Sequence, residues 1–261
     1  MTASTEKKAA KPRKKAIAAK GPTVEVLSGP RVEPKREILN IGVIGYGYWG
    51  PNLVRNFAEL SDARVHTVAD LNPKALEVVK KRYPATNVTT DVQAMIRDPE
   101  IDAVAIATPV STHFSLAMAA LKAGKHVWLE KPMTETSMQA RALIEEANKR
   151  GLTLHVDHTF VYTGPVKKMR EMVQNGDLGK TLYYDSTRIN LGLFQRDVNV
   201  IADLAVHDFS ILDYVFEQHP VAALAVAARA DLVEHQRLGR AGPEVEAHDL
   251  LAEHGHAVDA R

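Results

Sequence analysis

Short apolar runs alternate with stretches of helical period from Ile38 onward. Residues 38–44, 63–70, 101–108, 126–130 and 152–160 are read as strands, being rich in Val, Ile and Ala and largely apolar on both faces. Between them, residues 52–60, 73–83, 91–97, 113–123 and 136–150 repeat their apolar positions at helical spacing. Thr136 with Gln139 has the form of a capping box, and Gly151 supplies the stop. Apolar strands alternating with helices predict an α/β fold with a parallel sheet covered on both faces. Residues 37–158 are thus expected to be a Rossmann-type doubly wound domain.

The rhythm changes after Phe160. Residues 165–175 read as a helix closed by Gly176. Residues 180–190 read as a long half-polar strand (Thr181, Tyr183, Asp185, Thr187), and residues 203–216 as a further helix. Residues 159–216 are expected to begin a second, α+β domain.

Both ends depart from this pattern. Residues 1–36 mix lysine and alanine with Pro12, Pro22, Pro30 and Pro34, and are expected to be a basic disordered tail. Residues 217–261 use only ten residue types: Ala, Val, Leu, Asp, Glu, His, Gln, Arg, Gly and Pro. All ten can be encoded by codons beginning with G or C. Average usage gives them roughly 60–70% of positions, so a chance run of this length has a probability on the order of 10⁻⁷ to 10⁻¹⁰. The expectation is a reading frame lost near Phe216 in a GC-rich gene, leaving a non-native tail and a missing continuation. Resequencing around codon 216 tests it. A metal-binding cluster of His219, His235, His248, His254 and His256 is the rival, but their spacing fits no common ligand motif.

Composition narrows the function. Lys and Arg number 33 against 32 Asp and Glu in 261 residues. Seven basic residues and Glu6 give residues 1–20 a charge of +6, so the remainder carries −5, which argues against nucleic-acid binding by the folded body. There is no cysteine, which excludes thiol nucleophiles and Cys-ligated metal sites and offers no sign of secretion. No run approaches 18 apolar residues, and the basic tail lacks the apolar stretch of about 7–15 residues that a secretory signal needs, so none is expected. A cytoplasmic protein without a membrane span is expected.

Four sites carry candidate chemistry. Gly45-Tyr46-Gly47-Tyr48-Trp49-Gly50 fits G-x-G-x-x-G between a strand and a helix. There Gly45 allows a tight turn, Gly47 admits a pyrophosphate, and Gly50 lets helix and strand pack closely. Phosphates would sit on the helix N-terminus. Asp70 ends the second strand, 20 residues past Gly50. A carboxylate there accepts both ribose hydroxyls and repels a 2′-phosphate, favouring NAD over NADP. S-adenosylmethionine, which also has a ribose, stays open at this point, as do glycines that merely turn the chain.

Thr108-Pro109, with His113 just beyond, falls at the carboxyl edge of the sheet, where open α/β folds bind ligands. Glu130-Lys131-Pro132 closes the next strand. A lysine beside a nicotinamide can hydrogen-bond a substrate hydroxyl as hydride leaves, but an exposed strand-end lysine gives the same pattern. Asp203 and His207 share a helix face at i, i+4. An imidazole there suits a general base for an alcohol, and a capped helix with one polar face is the alternative. His158 is read as structural.

Together the Gly45–Gly50 loop, Glu130-Lys131-Pro132 and Asp203-x-x-x-His207 resemble the Gfo/Idh/MocA family (glucose–fructose oxidoreductase, inositol dehydrogenase, MocA) over residues 38–216. Residues 41–57, 158–162 and 188–194 are similar to its branch acting on nucleotide sugars such as UDP-N-acetylglucosamine or UDP-aminoglucuronate, oxidised at carbon 3. The resemblance implies an NAD-dependent dehydrogenase of a sugar or nucleotide-sugar hydroxyl. Lys131, His207 and Asp203 would be catalytic. Gly45, Gly47, Tyr48, Trp49, Gly50, Asp70, Thr108, Pro109, His113 and Glu130 would hold the cofactor. Tyr162, Arg188 and Asn190 would meet substrate together with Lys131, Asp203 and His207. It also implies a homo-oligomer for a full-length member, built on a second-domain sheet whose greater part this chain lacks. The alternative is a shortened chain that binds dinucleotide without turnover. Tyr162-Thr163-Gly164-Pro165 stands where the family often has Tyr-Asn-Pro, which would alter a substrate contact.

Overall fold

A computed structural model describes residues 38–188, 198–199 and 201–218. The basic tail, Asn190 and residues 219–261 lie outside the described residues.

The order is β1 (Leu39–Ile44), α1 (Gly50–Ala58), β2 (Ala63–Ala69), α2 (Pro73–Arg82), β3 (Asn87–Thr89), α3 (Val92–Arg97), β4 (Ala103–Ile106), α4 (Val110–Lys122), β5 (His126–Leu129), α5 (Ser137–Arg150) and β6 (Leu154–Val156). All strands are parallel, in the order β3-β2-β1-β4-β5-β6. The order reverses between β1 and β4, so α1 and α2 cover one face and α3, α4 and α5 the other. That splits the core in two. Ile41, Val43, Val65, Val68 and Ala105 pack with Leu53, Val54, Leu76 and Val79. Ile44, Val104, Ile106, Val127 and Leu129 pack with Met95, Leu121 and Leu143. Truncating one fully buried leucine of this kind costs about 2–5 kcal/mol.

Strand parity explains both faces except in β2, where Val65 and Val68 turn the same way. The β1–β2 register slips between Ile41 and Gly42, leaving His66 as an extra residue that reverses the alternation.

The expected helices and strands are present, with two differences in this domain. Strand β3 was not expected: three residues, Asn87–Thr89, carry too short a pattern to show a period. The expected strand at 152–160 forms only over Leu154–Val156, followed by a 3₁₀ turn at Thr159–Tyr162. Thr136 caps α5 by accepting from the Gln139 N–H at 3.3 Å. The return half of the capping box is not made: Gln139 Oε1 is buried without a partner among the described residues.

Beyond the sheet come α6 (Gly164–Gln174), a π-helical turn at Ile201–Ala205 and α7 (Val206–Phe216). Val166 packs against Ile211 and Val215, joining α6 to α7. The expected strand at 180–190 is not formed over residues 181–188, which are irregular. Strand patterning needs a neighbouring ladder, and no strand pairs with this segment among the described residues. Leu182 and Tyr183 accordingly remain exposed.

Candidate functional site

The sheet lines up the candidate groups along one edge. Past each strand end the ladder runs one step further: Gly45 N–H donates to Ala69, Ala107 to Ile44, Glu130 to Ile106 and Asp157 to Leu129. Asp70, the glycine loop, Thr108, Glu130-Lys131 and Asp157 therefore share the carboxyl edge.

The glycine loop behaves as its spacing predicts. Gly45 has φ +93°, and a Cβ there would stand 2.7 Å from the Ala107 carbonyl oxygen. A Cβ on Gly50 would stand 2.1 Å from the Gly45 oxygen. Gly47 has nothing within 4 Å of its Cβ position, so that side of the loop is open. Helix α1 begins here with Pro51, no side-chain cap and no acidic residue in its first turn. Its N-terminal dipole and N–H groups are left for an anion. Asp70 braces the loop: one carboxylate oxygen accepts from the Tyr46 N–H at 2.6 Å, the other from Asn72 at 2.7 Å. Tyr48 and Trp49 are exposed and meet edge to face, ring centres 5.3 Å apart. Open space at Gly47, a free helix terminus and a carboxylate at the end of β2 fit a dinucleotide.

Lys131 and Asp203, 72 residues apart in sequence, meet. The ammonium donates to the Asp203 carboxylate at 2.6 Å and to its carbonyl at 2.9 Å. The expected helix over 203–216 starts instead with the π turn, which carries Asp203 into this pair while His207 sits in the first turn of α7. His207 is buried, edge-on to Phe160 at 4.7 Å between ring centres, with Nδ1 unpartnered among the described groups. Arg188 lies over the same Phe160 ring at 4.7 Å and donates to Asp208 at 2.8 Å. Ser186 holds the other Asp208 oxygen.

The structure thus joins Lys131, Asp203, His207 and Arg188. Tyr162 stands apart and exposed, its ring centre 6.3 Å from that of His155. Thr108 hydrogen-bonds Thr112 and reaches His113 through its carbonyl, while Pro109 caps α4. His113 is buried, with both ring nitrogens against backbone carbonyls. Phe160, Asp157 and Asp208 were not singled out from sequence. Asp208 adjoins His207, the one available signal; Phe160 in an apolar run gave none. His158, read as structural, lies close enough to His207 to lower its affinity for protons, and its own Nδ1 is buried without a partner among the described residues.

Burial and charge set the protonation states. His207 is lowered to about 4, chiefly by burial, then by Lys131, Arg188 and His158, with Asp203 opposing. Glu130 is raised to about 7 by burial and Asp157, against the Lys131 N–H and charge. The two have opposite linkage. The folded state resists protonating His207, so stability is lost as pH falls from 6.5 toward 4. It resists ionising Glu130, so stability is lost as pH rises from 4.5 through 7. Glu130→Gln is expected to gain on the wild type over the second window, and His207→Gln over the first, each by up to about 3 kcal/mol. Melting temperatures measured from pH 4 to 8 check this; curves parallel to the wild type contradict it.

Comparison with known proteins gives the same picture. "Oxidoreductase family, NAD-binding Rossmann fold" matches residues 39–158. The chain is 27% identical over 209 residues to myo-inositol 2-dehydrogenase of Thermotoga maritima, covering 78% of this chain and 62% of that one. It is 31% identical over 204 residues to UDP-N-acetylglucosamine 3-dehydrogenase of Acidithiobacillus ferrooxidans, covering 74% and 59%. An NAD-binding protein from Listeria innocua shares the fold, with TM-score 0.61 at 24% identity over 70% of this chain and 56% of that one. The chain spans about half the length of the curated relatives it matches. No helix among the described residues is long and apolar enough to cross a membrane. Residues 39–158 thus match the Gfo/Idh/MocA oxidoreductase family model and carry an NAD-binding Rossmann fold.

Proposed function

We propose that the chain carries the cofactor domain and catalytic groups of an NAD-dependent dehydrogenase acting on a secondary hydroxyl of a sugar or polyol. The observation that carries this reading is the Lys131–Asp203 pair at 2.6 Å, with His207 one turn on, at the same sheet edge as the glycine loop. NAD, when bound, supplies the hydride acceptor. Gly45–Gly50 and the α1 terminus would hold its pyrophosphate, and Asp70 would accept from the adenosine ribose. Lys131 donates to the substrate hydroxyl and stabilises the oxygen as its proton leaves. A ring nitrogen of His207, neutral at pH 7, accepts that proton. Asp203 orients the Lys131 ammonium.

Within this class the reading favours a nucleotide sugar. Arg188, held by Asp208 beside His207, offers a guanidinium to an anionic substrate group. Relatives include both inositol and UDP-sugar dehydrogenases, so both belong in the assay. The reading includes a cytoplasmic location and a homo-oligomer.

A second reading is dinucleotide binding without turnover, since the family match runs over residues 39–158 and stops short of Asp203 and His207. One experiment separates the two. Purified chain with NAD and a panel of UDP-sugars and inositols is expected to show growing absorbance of reduced nicotinamide. Thermal stabilisation by NAD with no absorbance growth supports the second reading instead.

A further inference from the structure

We propose that His113 is a positioning residue: its ring ties the Thr108–Pro109 turn to the Lys131–Pro132 turn and so fixes where Lys131 stands. His113 is 1% exposed, in the first turn of α4. Nε2 lies 2.9 Å from the Thr108 carbonyl oxygen, and Nδ1 lies 2.9 Å from the Pro132 carbonyl oxygen. These carbonyls belong to turns that leave neighbouring strands, β4 and β5, at the carboxyl edge. A neutral ring donates its one N–H to one of these carbonyls and packs against the other, and only a doubly protonated ring bonds both; in either form one rigid ring spans the two turns as a crossbar.

The placement has a physical purpose. Past Leu129 the strand ladder supplies only the Glu130 N–H to Ile106. Lys131 follows at once, and its ammonium must reach Asp203. A turn held only at one end would let the lysine stem swing, and small misplacements of a catalytic group are costly. A histidine is suited to the task. Its two nitrogens point in divergent directions from a planar ring, and it has few rotamers to lose on burial. The same bond at Thr108 also holds the turn whose hydroxyl meets Thr112 at 2.7 Å. One side chain thus couples a cofactor-edge turn to the lysine turn.

The significance of Lys131 rests on the function proposed above, but the crossbar itself is read without turnover. The test uses the full chain as wild type, His113→Gln, and Leu121→Ala as a control. Leu121 is a fully buried residue of the same helix, away from the edge. Hydrogen exchange is followed by mass spectrometry on peptides 106–112, 129–134 and 139–150. The reactivity of Lys131 toward an amine-acetylating reagent is followed alongside that of Lys149. In His113→Gln, exchange in both turn peptides is expected to rise at least tenfold, and Lys131 acetylation at least fivefold. Peptide 139–150 and Lys149 should match the wild type. Leu121→Ala should not reproduce this local pattern. The proposal is overturned if the 129–134 peptide and Lys131 are unchanged, or if His113→Gln loosens all three peptides alike. If His113→Gln shows the pattern but the wild type never turns over, that counts against the dehydrogenase reading, not the crossbar.

Discussion

Replacing Lys131 with alanine is expected to reduce turnover at least a thousandfold while NAD affinity stays within about threefold. A thousandfold corresponds to about 4 kcal/mol of lost transition-state stabilisation. The size follows from what the ammonium is asked to do. It is buried to 14% exposure against Asp203, so its charge acts on the reacting oxygen with little screening by water. The affinity is kept because no contact of the Lys131 side chain runs to the glycine loop; its bonds go to Asp203. The protein should also remain folded, since Asp203 is partly exposed and can be solvated. Steady-state rates and an NAD titration on the same preparation check both halves. Equal losses in rate and affinity would make Lys131 a cofactor ligand or a structural residue.

The second large effect separates two glycines of one loop. Gly50→Ala places a methyl 2.1 Å from the Gly45 carbonyl oxygen, a backbone atom that cannot rotate away. Helix α1 must shift off β1, and the variant is expected to lose several kcal/mol of stability together with its NAD binding. Gly47→Ala meets nothing within 4 Å. Its melting temperature should stay within about 2 °C of the wild type, yet NAD affinity should fall at least a hundredfold, because the methyl enters the space left for the pyrophosphate. Thermal melts with and without NAD give both numbers. Unaltered NAD binding by Gly47→Ala would move the pyrophosphate elsewhere.

Much of this was legible because local rules and the global fold agree over 37–158. Apolar runs on both faces require a parallel sheet, and the glycine spacing fixes where the first turn must lie. Asp70, Lys131 and the Asp203–His207 pair could be singled out from sequence because each reads as ending a strand or sharing a helix face; in the structure Asp203 lies in the π turn ahead of the helix that holds His207. What sequence could not give was the meeting of Lys131 with Asp203 across 72 residues, since nothing local specifies it. Phe160 was hidden in an apolar run, although its ring is shared by His207 and Arg188. The expected strand at 180–190 shows the limit of periodicity: Leu182 and Tyr183 have the pattern, but a pattern becomes a strand only beside another. His113 was expected to serve the cofactor from its position alone; its two carbonyl contacts became visible only in three dimensions.

A single-turnover reaction reaches the central claim most directly. With protein in excess over NAD, even a slow site shows itself as reduced nicotinamide. The wild type is expected to convert bound NAD, up to one equivalent, with at least one sugar of the panel, and Lys131→Ala to convert none. NAD that binds but is never reduced by any sugar, or equal reduction by Lys131→Ala, would contradict a hydride-transfer site built on Lys131, Asp203 and His207.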